Sequence, residues 1–329
     1  MKISITGASG HIGNNLCREL LNQGYQLKVL IYKFDKSIAG IDVERINGNI
    51  LDKNTVNNLI KGSDYVFHTA ALISIGTYPK KEIFDINIEG TRNVIEACLL
   101  NNVKRLIHFS SIHALKNEGS DKSFDENNQL SGLDAFNYDQ SKANAEKLIL
   151  EAHKKGLDVI ILNPASVVGP FDFVPSLVGQ MIIKIATGKL PFLIKGGYQW
   201  VDVRDIVNAA IHAIDKGRSG ERYLLASQWR SLTEIAAIIC SQLKRKTPGK
   251  VPDFLAWTGL PFISLYSKIT GSNPLYTKES LHIVSHSPKI VNNQKAINEL
   301  GFKPRPVEET FIDSLQWFIT NGYIQNKLK

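Results

Sequence analysis

Tyr138 and Lys142, four residues apart in the run Tyr138-Asp139-Gln140-Ser141-Lys142, are the pair in this sequence best suited to moving a proton. On a helix, positions i and i+4 share one face, so phenol and ammonium point the same way. A free tyrosine titrates at about 10 and is a poor base at neutral pH. A neighbouring cation favours the phenolate and makes proton exchange with a substrate oxygen feasible. A third group must hold that oxygen. The run Phe109-Ser110-Ser111 closes a predicted strand, and Ser111, or Ser110 in its place, can donate to a carbonyl oxygen or alkoxide. Each fragment is commonplace by itself. The bland alternative is a packed aromatic at 138 and a surface lysine at 142.

What raises the pair above that alternative is its order after a glycine loop. Thr6-Gly7-Ala8-Ser9-Gly10-His11-Ile12-Gly13 spaces glycines as GxxGxxG between a predicted strand and a predicted helix. Gly7 and Gly10 permit close backbone approach, and the amides around His11 and Ile12 open the helix where a pyrophosphate can sit. Gly13 lets that helix lie near the sheet. The loop therefore predicts a dinucleotide site. Asp52 can accept from an adenine amino group or cap the helix behind it. The small run Thr69-Ala70-Ala71 leaves room for the cofactor. Strand two ends in Ile31-Tyr32-Lys33-Phe34-Asp35-Lys36. No acid stands at Ile31 or Tyr32 to bind ribose hydroxyls, while Lys33 and Lys36 suit a 2′-phosphate. NADP(H) is favoured, and NAD(H) stays open through Asp35.

The elements that must position these groups alternate in type. Lys2–Thr6, Gln26–Ile31, Val43–Ile46, Asp64–His68, Lys104–Phe109 and Asp158–Leu162 read as strands. His11–Gln23, Lys53–Lys61, Lys80–Asn101 and Tyr138–Lys155 read as helices. Strand–helix alternation implies right-handed βαβ units and a doubly wound parallel sheet of the α/β class. Beyond Pro164, prolines and Gly196-Gly197 break the chain into short pieces. Asp205–Lys216, Ser231–Leu243, Thr277–Ser285, Asn292–Leu300 and Val307–Thr320 read as helices, and Glu221–Leu225 as a returning strand. The expected division is a nucleotide-binding domain over 1–165, with 198–225 returning to it. A smaller, mainly helical substrate lobe is expected over 166–197 and 226–329.

Composition narrows the class. The 329 residues carry 39 Lys+Arg against 31 Asp+Glu, a formal charge of +8, and 43% are hydrophobic, which argues against disorder. The basic clusters Lys80-Lys81 and Lys244-Arg245-Lys246 read as solvated surface, so no nucleic-acid partner is expected. No apolar run is long enough for a membrane span. Ile3 begins an apolar run directly, leaving no room for a leader, and Cys17, Cys98 and Cys240 read as free thiols, so a cytoplasmic protein is expected. The histidines show no metal-ligand spacing, and no metal is expected.

Taken in chain order, the motifs resemble an extended short-chain dehydrogenase/reductase of the NAD-dependent epimerase/dehydratase superfamily. The matching pieces are Thr6–Gly13, Asp52, His68–Ala71, Asn87-Ile88-Glu89-Gly90-Thr91, Ser110-Ser111, Tyr138–Lys142, Asn163-Pro164, Gly169-Pro170 and Val201–Asp205, with Glu299-Leu300-Gly301-Phe302, Pro304 and Pro306 near the end. The resemblance implies a Rossmann-type domain with a small C-terminal substrate lobe. It implies Tyr138 as general acid/base, Lys142 as its partner and a cofactor ligand, and Ser111 as donor to the substrate oxygen. Pro164 and Val167 fall at family cofactor positions.

Leu162–Pro170 looks like the dihydroflavonol reductase-like branch, since Asn163 and Val168 depart from the arginine and aromatic pattern of nucleotide-sugar epimerases. Glu221–Leu225 resembles the reductase-like and hopanoid-associated epimerase-like branches. The implied activity is NADPH-dependent reduction of an aldehyde or ketone. An epimerase or dehydratase of a nucleotide- or lipid-linked sugar with retained NAD is the alternative, and a non-catalytic cofactor sensor the second. The partner is a small carbonyl or hydroxyl compound. Lys80–Asn101 with Tyr138–Lys155 is a possible homodimer face.

Ile73, His113, Phe171, Phe173 and Trp200 are the candidates for a substrate pocket, although such aromatics are as often core. His11 lies near the expected phosphates or merely starts a helix, and His68 reads as structural. The apolar stretch Asp253–Gly271 reads as a buried helix pair, with a membrane-surface patch as its rival.

Overall fold

The computed structural model describes residues 1–251 and 277–325, so the expectation for Asp253–Gly271 lies outside the described residues. The strands are β1 (Lys2–Thr6), β2 (Gln26–Ile31), β3 (Glu44–Asn47), β4 (Tyr65–His68), β5 (Arg105–Phe109), β6 (Ser123–Phe124), β7 (Val159–Pro164), β8 (Ser166–Val168), β9 (Phe192–Leu193), β10 (Gly197–Asp202), β11 (Arg222–Leu225), β12 (Trp229–Ser231), β13 (Gly249–Lys250) and β14 (Ile290–Val291). Seven of them form one sheet in the order β11-β7-β5-β4-β1-β2-β3, and every pair in it is parallel. The order reverses between β1 and β4, which places the ligand crevice at their carboxyl ends.

Parallel strands covered on both faces need apolar runs rather than alternation. All six residues of β7, Val-Ile-Ile-Leu-Asn-Pro, are buried. One face is covered by α1 (His11–Asn22) and α7 (Val203–His212) through Leu16, Cys17, Leu20, Ile206, Val207 and Ala210. The other is covered by α2 (Lys53–Ile60), α4 (Gly90–Leu100) and α5 (Asn137–Lys154) through Val56, Leu59, Val94, Cys98, Ile149 and Ala152. All three cysteines are buried and free.

A second core joins α6 (Leu177–Ala186), α8 (Leu232–Gln242) and the helices Lys278–His286 and Val307–Thr320 around Trp200, Ile235, Phe311 and Phe318. A three-stranded sheet, β12-β10-β8, borders it. The chain crosses back to the main sheet at β11, which pairs with β7. No helix among the described residues is long and apolar enough to cross a membrane.

The helix expected over Lys80–Asn101 follows that course with one departure. Between α3 (Lys80–Phe84) and α4 the turn Asp85–Glu89 is a π-helix. The wider turn accompanies an inward Asn87, whose side chain accepts from Leu72 N–H at 2.7 Å and donates to Leu72 O at 3.1 Å and Ser141 Oγ at 2.9 Å. Such π-turns recur at functional sites. Here the turn ties the loop after β4 to α5.

Candidate active site

The end of β5 and the start of α5 bring Ser111, Tyr138 and Lys142 together at the carboxyl edge of the sheet. The structure separates the two serines. Ser110 Oγ donates to Glu146 Oε2 at 2.7 Å, so its hydroxyl is committed. Ser111 Oγ accepts from the backbone N–H of His113 at 3.2 Å, and its hydroxyl is bonded to the Tyr138 phenol, so the two groups meet at one point. Lys142 is 2% exposed and donates to Phe109 O at 2.7 Å. Burial pulls its ammonium down to about 8, opposed by the charge of Glu146.

The expected lowering of the Tyr138 phenol by Lys142 is not found. Burial pushes the phenol well up, the Ser111 hydroxyl draws it down, and the charge of Asp139 raises it. A phenol held in its protonated form is a proton donor at neutral pH.

Beneath the triad, Glu146 is fully buried. It accepts from Ser110 Oγ and Asn163 Nδ2 on one oxygen and pairs with Arg222 Nε on the other. Acceptor capacity and charge are both met, as a buried carboxylate requires.

The glycine loop fits a dinucleotide. Gly7 has φ +73°, and a Cβ there would lie 2.6 Å from Ala70 N; one at Gly13 would lie 2.1 Å from Gly7 O. Only glycine allows this approach of α1, the loop and the Thr69-Ala70-Ala71 segment. Thr69 Oγ1 locks that segment by donating to Thr6 O at 2.7 Å. Gly10 caps α1 without any side-chain bond, so the first amides have no capping side chain, and Ser9 Oγ is buried with no partner among the described residues. An anion at the helix N-terminus would satisfy these donors.

Asp52 caps α2, accepting from Asn54 N–H at 3.0 Å and Thr55 Oγ1 at 2.6 Å. The capping alternative is thus the one the geometry realises, and the carboxylate keeps lone pairs for a further donor. At the end of β2, Lys33 and Lys36 are exposed. Asp35 lies 3.8 Å from Arg45, a third cation at this edge.

His11 opens α1, and its ring is tied to the segment after β8. Nε2 donates to Pro170 O at 3.0 Å, and Asn14 and Asn15 donate to Phe171 O and Pro170 O at 3.0 and 3.2 Å. His68 is structural, bonded to Thr6 Oγ1 and Thr91 Oγ1 at 2.7 and 2.9 Å. Pro164 closes β7, and Val167 pairs with Val201 in the β8–β10 sheet.

One pocket candidate falls in the core, and two join an aromatic group with Trp317. Trp200 is 1% exposed, donates to Arg230 O at 3.1 Å and meets Phe311 edge-on at 5.0 Å, so it is core. Its apolar surface and satisfied N–H explain the burial. Phe171 and Phe173 lie under the Arg18 guanidinium and against Trp317. Phe171 reaches that aromatic group through φ +63°, an unfavourable region for a bulky residue. Ile73, by contrast, is 60% exposed on the loop after β4.

His113 packs edge-on to Tyr138, with ring centroids 6.0 Å apart, and lines a cavity of about 350 Å³ with Phe136, Asp139 and His282. Asp139 Oδ1 lies 3.3 Å from His113 Nδ1, an ion pair when the ring is protonated, though not an aligned hydrogen bond. Burial disfavours the charged ring, but the carboxylates of Asp139 and Glu279 outweigh it and raise His113 above its ordinary value. Glu279 and Asn163 were not legible as site residues. Glu279 arrives from a distant helix, and Asn163 stands out only as a departure from the family pattern.

Comparison with known proteins defines the class. The family model described as the NAD dependent epimerase/dehydratase family matches residues 3–226, and the chain belongs to that family of enzymes. It is 30% identical to sterol demethylase protein B of Methylococcus capsulatus, over 98% of this chain and 100% of that one. It is 27% identical to a putative dihydroflavonol 4-reductase of Synechocystis, over 98% and 96%. The crystal structure of gox2253 matches with a TM-score of 0.83 and 29% identity, covering 98% of this chain and 99% of that one.

Proposed function

We propose that the protein is an NADPH-dependent reductase of an aldehyde or ketone. The observation that carries the reading is the joint placement of Ser111 bonded to the Tyr138 phenol and a buried Lys142 at the carboxyl edge of the sheet that also carries the glycine loop. The cofactor, when bound, supplies the hydride. Tyr138 gives its proton to the carbonyl oxygen, and the Ser111 hydroxyl steadies the negative charge developing there. Lys142, one turn along α5 from Tyr138, would hold the nicotinamide ribose. Lys33, Lys36 and Arg45 support NADPH over NADH, because the one nearby acid, Asp35, already faces Arg45. Similarity to a dihydroflavonol 4-reductase-like chain agrees with a reductase.

A second reading, epimerisation or dehydration with retained NAD, uses the same triad and the same family. Fluorescence titration with NADPH and NADH, followed by denaturation and assay for retained cofactor, separates the two. Reversible NADPH binding with nothing retained supports the reductase. Retained NAD and indifference to NADPH overturn it.

A further inference from the structure

Between the triad and the C-terminal lobe stand ionisable side chains that the proposed chemistry leaves unused. The helix Lys278–His286 begins against the loop after β4, where the Thr277 hydroxyl donates to Ile75 O. Two residues on, Glu279 reaches Gly76, whose Cβ, if present, would lie 3.2 Å from Oε2. Glu279 is 7% exposed, and its Oε1 is buried with no hydrogen-bond partner among the described residues. Asp139 Oδ1, on α5, is likewise buried without a hydrogen bond. The charges that act on Glu279 are those of Asp139 and His113; His282, three residues on along Glu279's helix, feels Asp139 and lines one cavity with it and His113. A buried carboxyl oxygen without a donor is unfavourable, and its persistence needs a reason.

We propose that Glu279, with Asp139 and His113, forms a subsite for a hydroxyl group that the substrate carries beside its reacting carbonyl. The His113 ring lies edge-on to Tyr138 with 6.0 Å between centroids, so a group held there is a few bonds from the oxygen facing Ser111 and Tyr138. A hydroxyl matches the chemistry on both sides. It donates to an orphaned carboxylate oxygen and accepts from His113 Nε2–H, while Nδ1 faces Asp139. A ketone oxygen only accepts and an ammonium only donates. The cavity of about 350 Å³ beyond His113 has room for the rest of such a molecule. In support, burial and the Asp139 charge push Glu279 up to about 7 against the pull of His113, so the site can donate or accept near neutrality. The carbonyl half of this inference rests on the reductase reading; the hydroxyl anchor does not.

The test uses the full chain with NADP⁺ and two matched probes, cyclohexanone and 2-hydroxycyclohexanone. In ¹H–¹⁵N spectra of histidine-labelled protein, the His113 signal is assigned by its loss in His113→Asn. The hydroxyketone is expected to shift that signal at a concentration at least tenfold below cyclohexanone, and Glu279→Leu to abolish the difference. Glu279→Gln, which keeps the shape, should retain part of it. Glu279→Leu should also raise the unfolding midpoint by a few degrees, as expected when a ligand-reserved buried acid is removed; a structural carboxyl would lower it. Equal shifts, no shift, or an unchanged preference in Glu279→Leu would overturn the subsite. NADPH oxidation with both probes at equal rates in wild type and variant sinks the subsite and keeps the reductase. A selective His113 shift without turnover keeps the subsite and sinks the reductase for these ketones.

Discussion

One amide nitrogen of Asn163 bonds both the carbonyl of Ser111, at 2.9 Å, and Oε2 of Glu146, at 3.1 Å. It joins Ser111, proposed above to face the substrate oxygen, to the buried carboxylate one turn along α5 from Lys142. Asn163→Leu should therefore lower stability by about 1–3 kcal/mol, because it strips a donor from a buried acid. It should also reduce turnover more than cofactor affinity, since the glycine loop is untouched. Denaturant unfolding and an NADPH titration measure the two effects. A variant with wild-type stability and turnover would remove Asn163 from the positioning of Ser111.

Tyr138→Phe keeps the ring that packs on His113 and deletes the proton donor. Turnover should fall by at least roughly a hundredfold, the scale of one general-acid contribution, with NADPH affinity within about twofold of wild type. Lys142→Met should weaken both, because it removes the proposed cofactor ligand and the buried cation that ties α5 to Phe109 O. Steady-state kinetics paired with cofactor titrations decide the matter. Near-normal turnover in Tyr138→Phe would discard the mechanism.

Lys33 and Lys36 are exposed, and Asp35 faces Arg45, so the basic edge after β2 is open to a phosphate. The double variant Lys33→Ala/Lys36→Ala should raise the NADPH dissociation constant about tenfold or more and leave that of NADH nearly unchanged. A parallel loss for both cofactors would mean that these lysines steer charge in general rather than read a 2′-phosphate.

How far the sequence announced this site depends on how local each signal is. The glycine loop, the paired Tyr138 and Lys142, and the parallel strands were legible because each is written within a few consecutive residues. Strand ends shifted by one or two positions, as at β3 and β7, since hydrogen-bond partners set them and those partners lie far along the chain. Trp200 was misplaced because an aromatic beside a motif looks the same whether it meets ligand or core. Only its burial against Phe311 separates the two. Ser110 and Ser111 could not be told apart without Glu146, 36 residues after Ser110. Glu279 has no local signature at all, because its surroundings are assembled from α5, the turn after β5 and the loop after β4.

Two histidines inside the sheet set a limit on acid stability. His68 and His108 face each other across β4 and β5, with ring centroids 5.2 Å apart. Burial pulls His68 down to about 3, and it holds His108 well below the ordinary range; the Lys142 charge adds to both. A folded value below the unfolded value of about 6.5 means that the unfolded chain binds protons first. Stability is therefore retained above pH 6.5 and lost as pH falls below it, by up to about 1.4 kcal/mol per histidine for each pH unit, for His68 down to about pH 3. His108 has no partner on either ring nitrogen among the described residues, so His108→Phe removes a titrating group without breaking a hydrogen bond. The difference in unfolding free energy between wild type and His108→Phe should shift steadily in favour of the variant from pH 6.5 to pH 4.5. Parallel stability curves across that range would show that His108 is not held neutral in the fold.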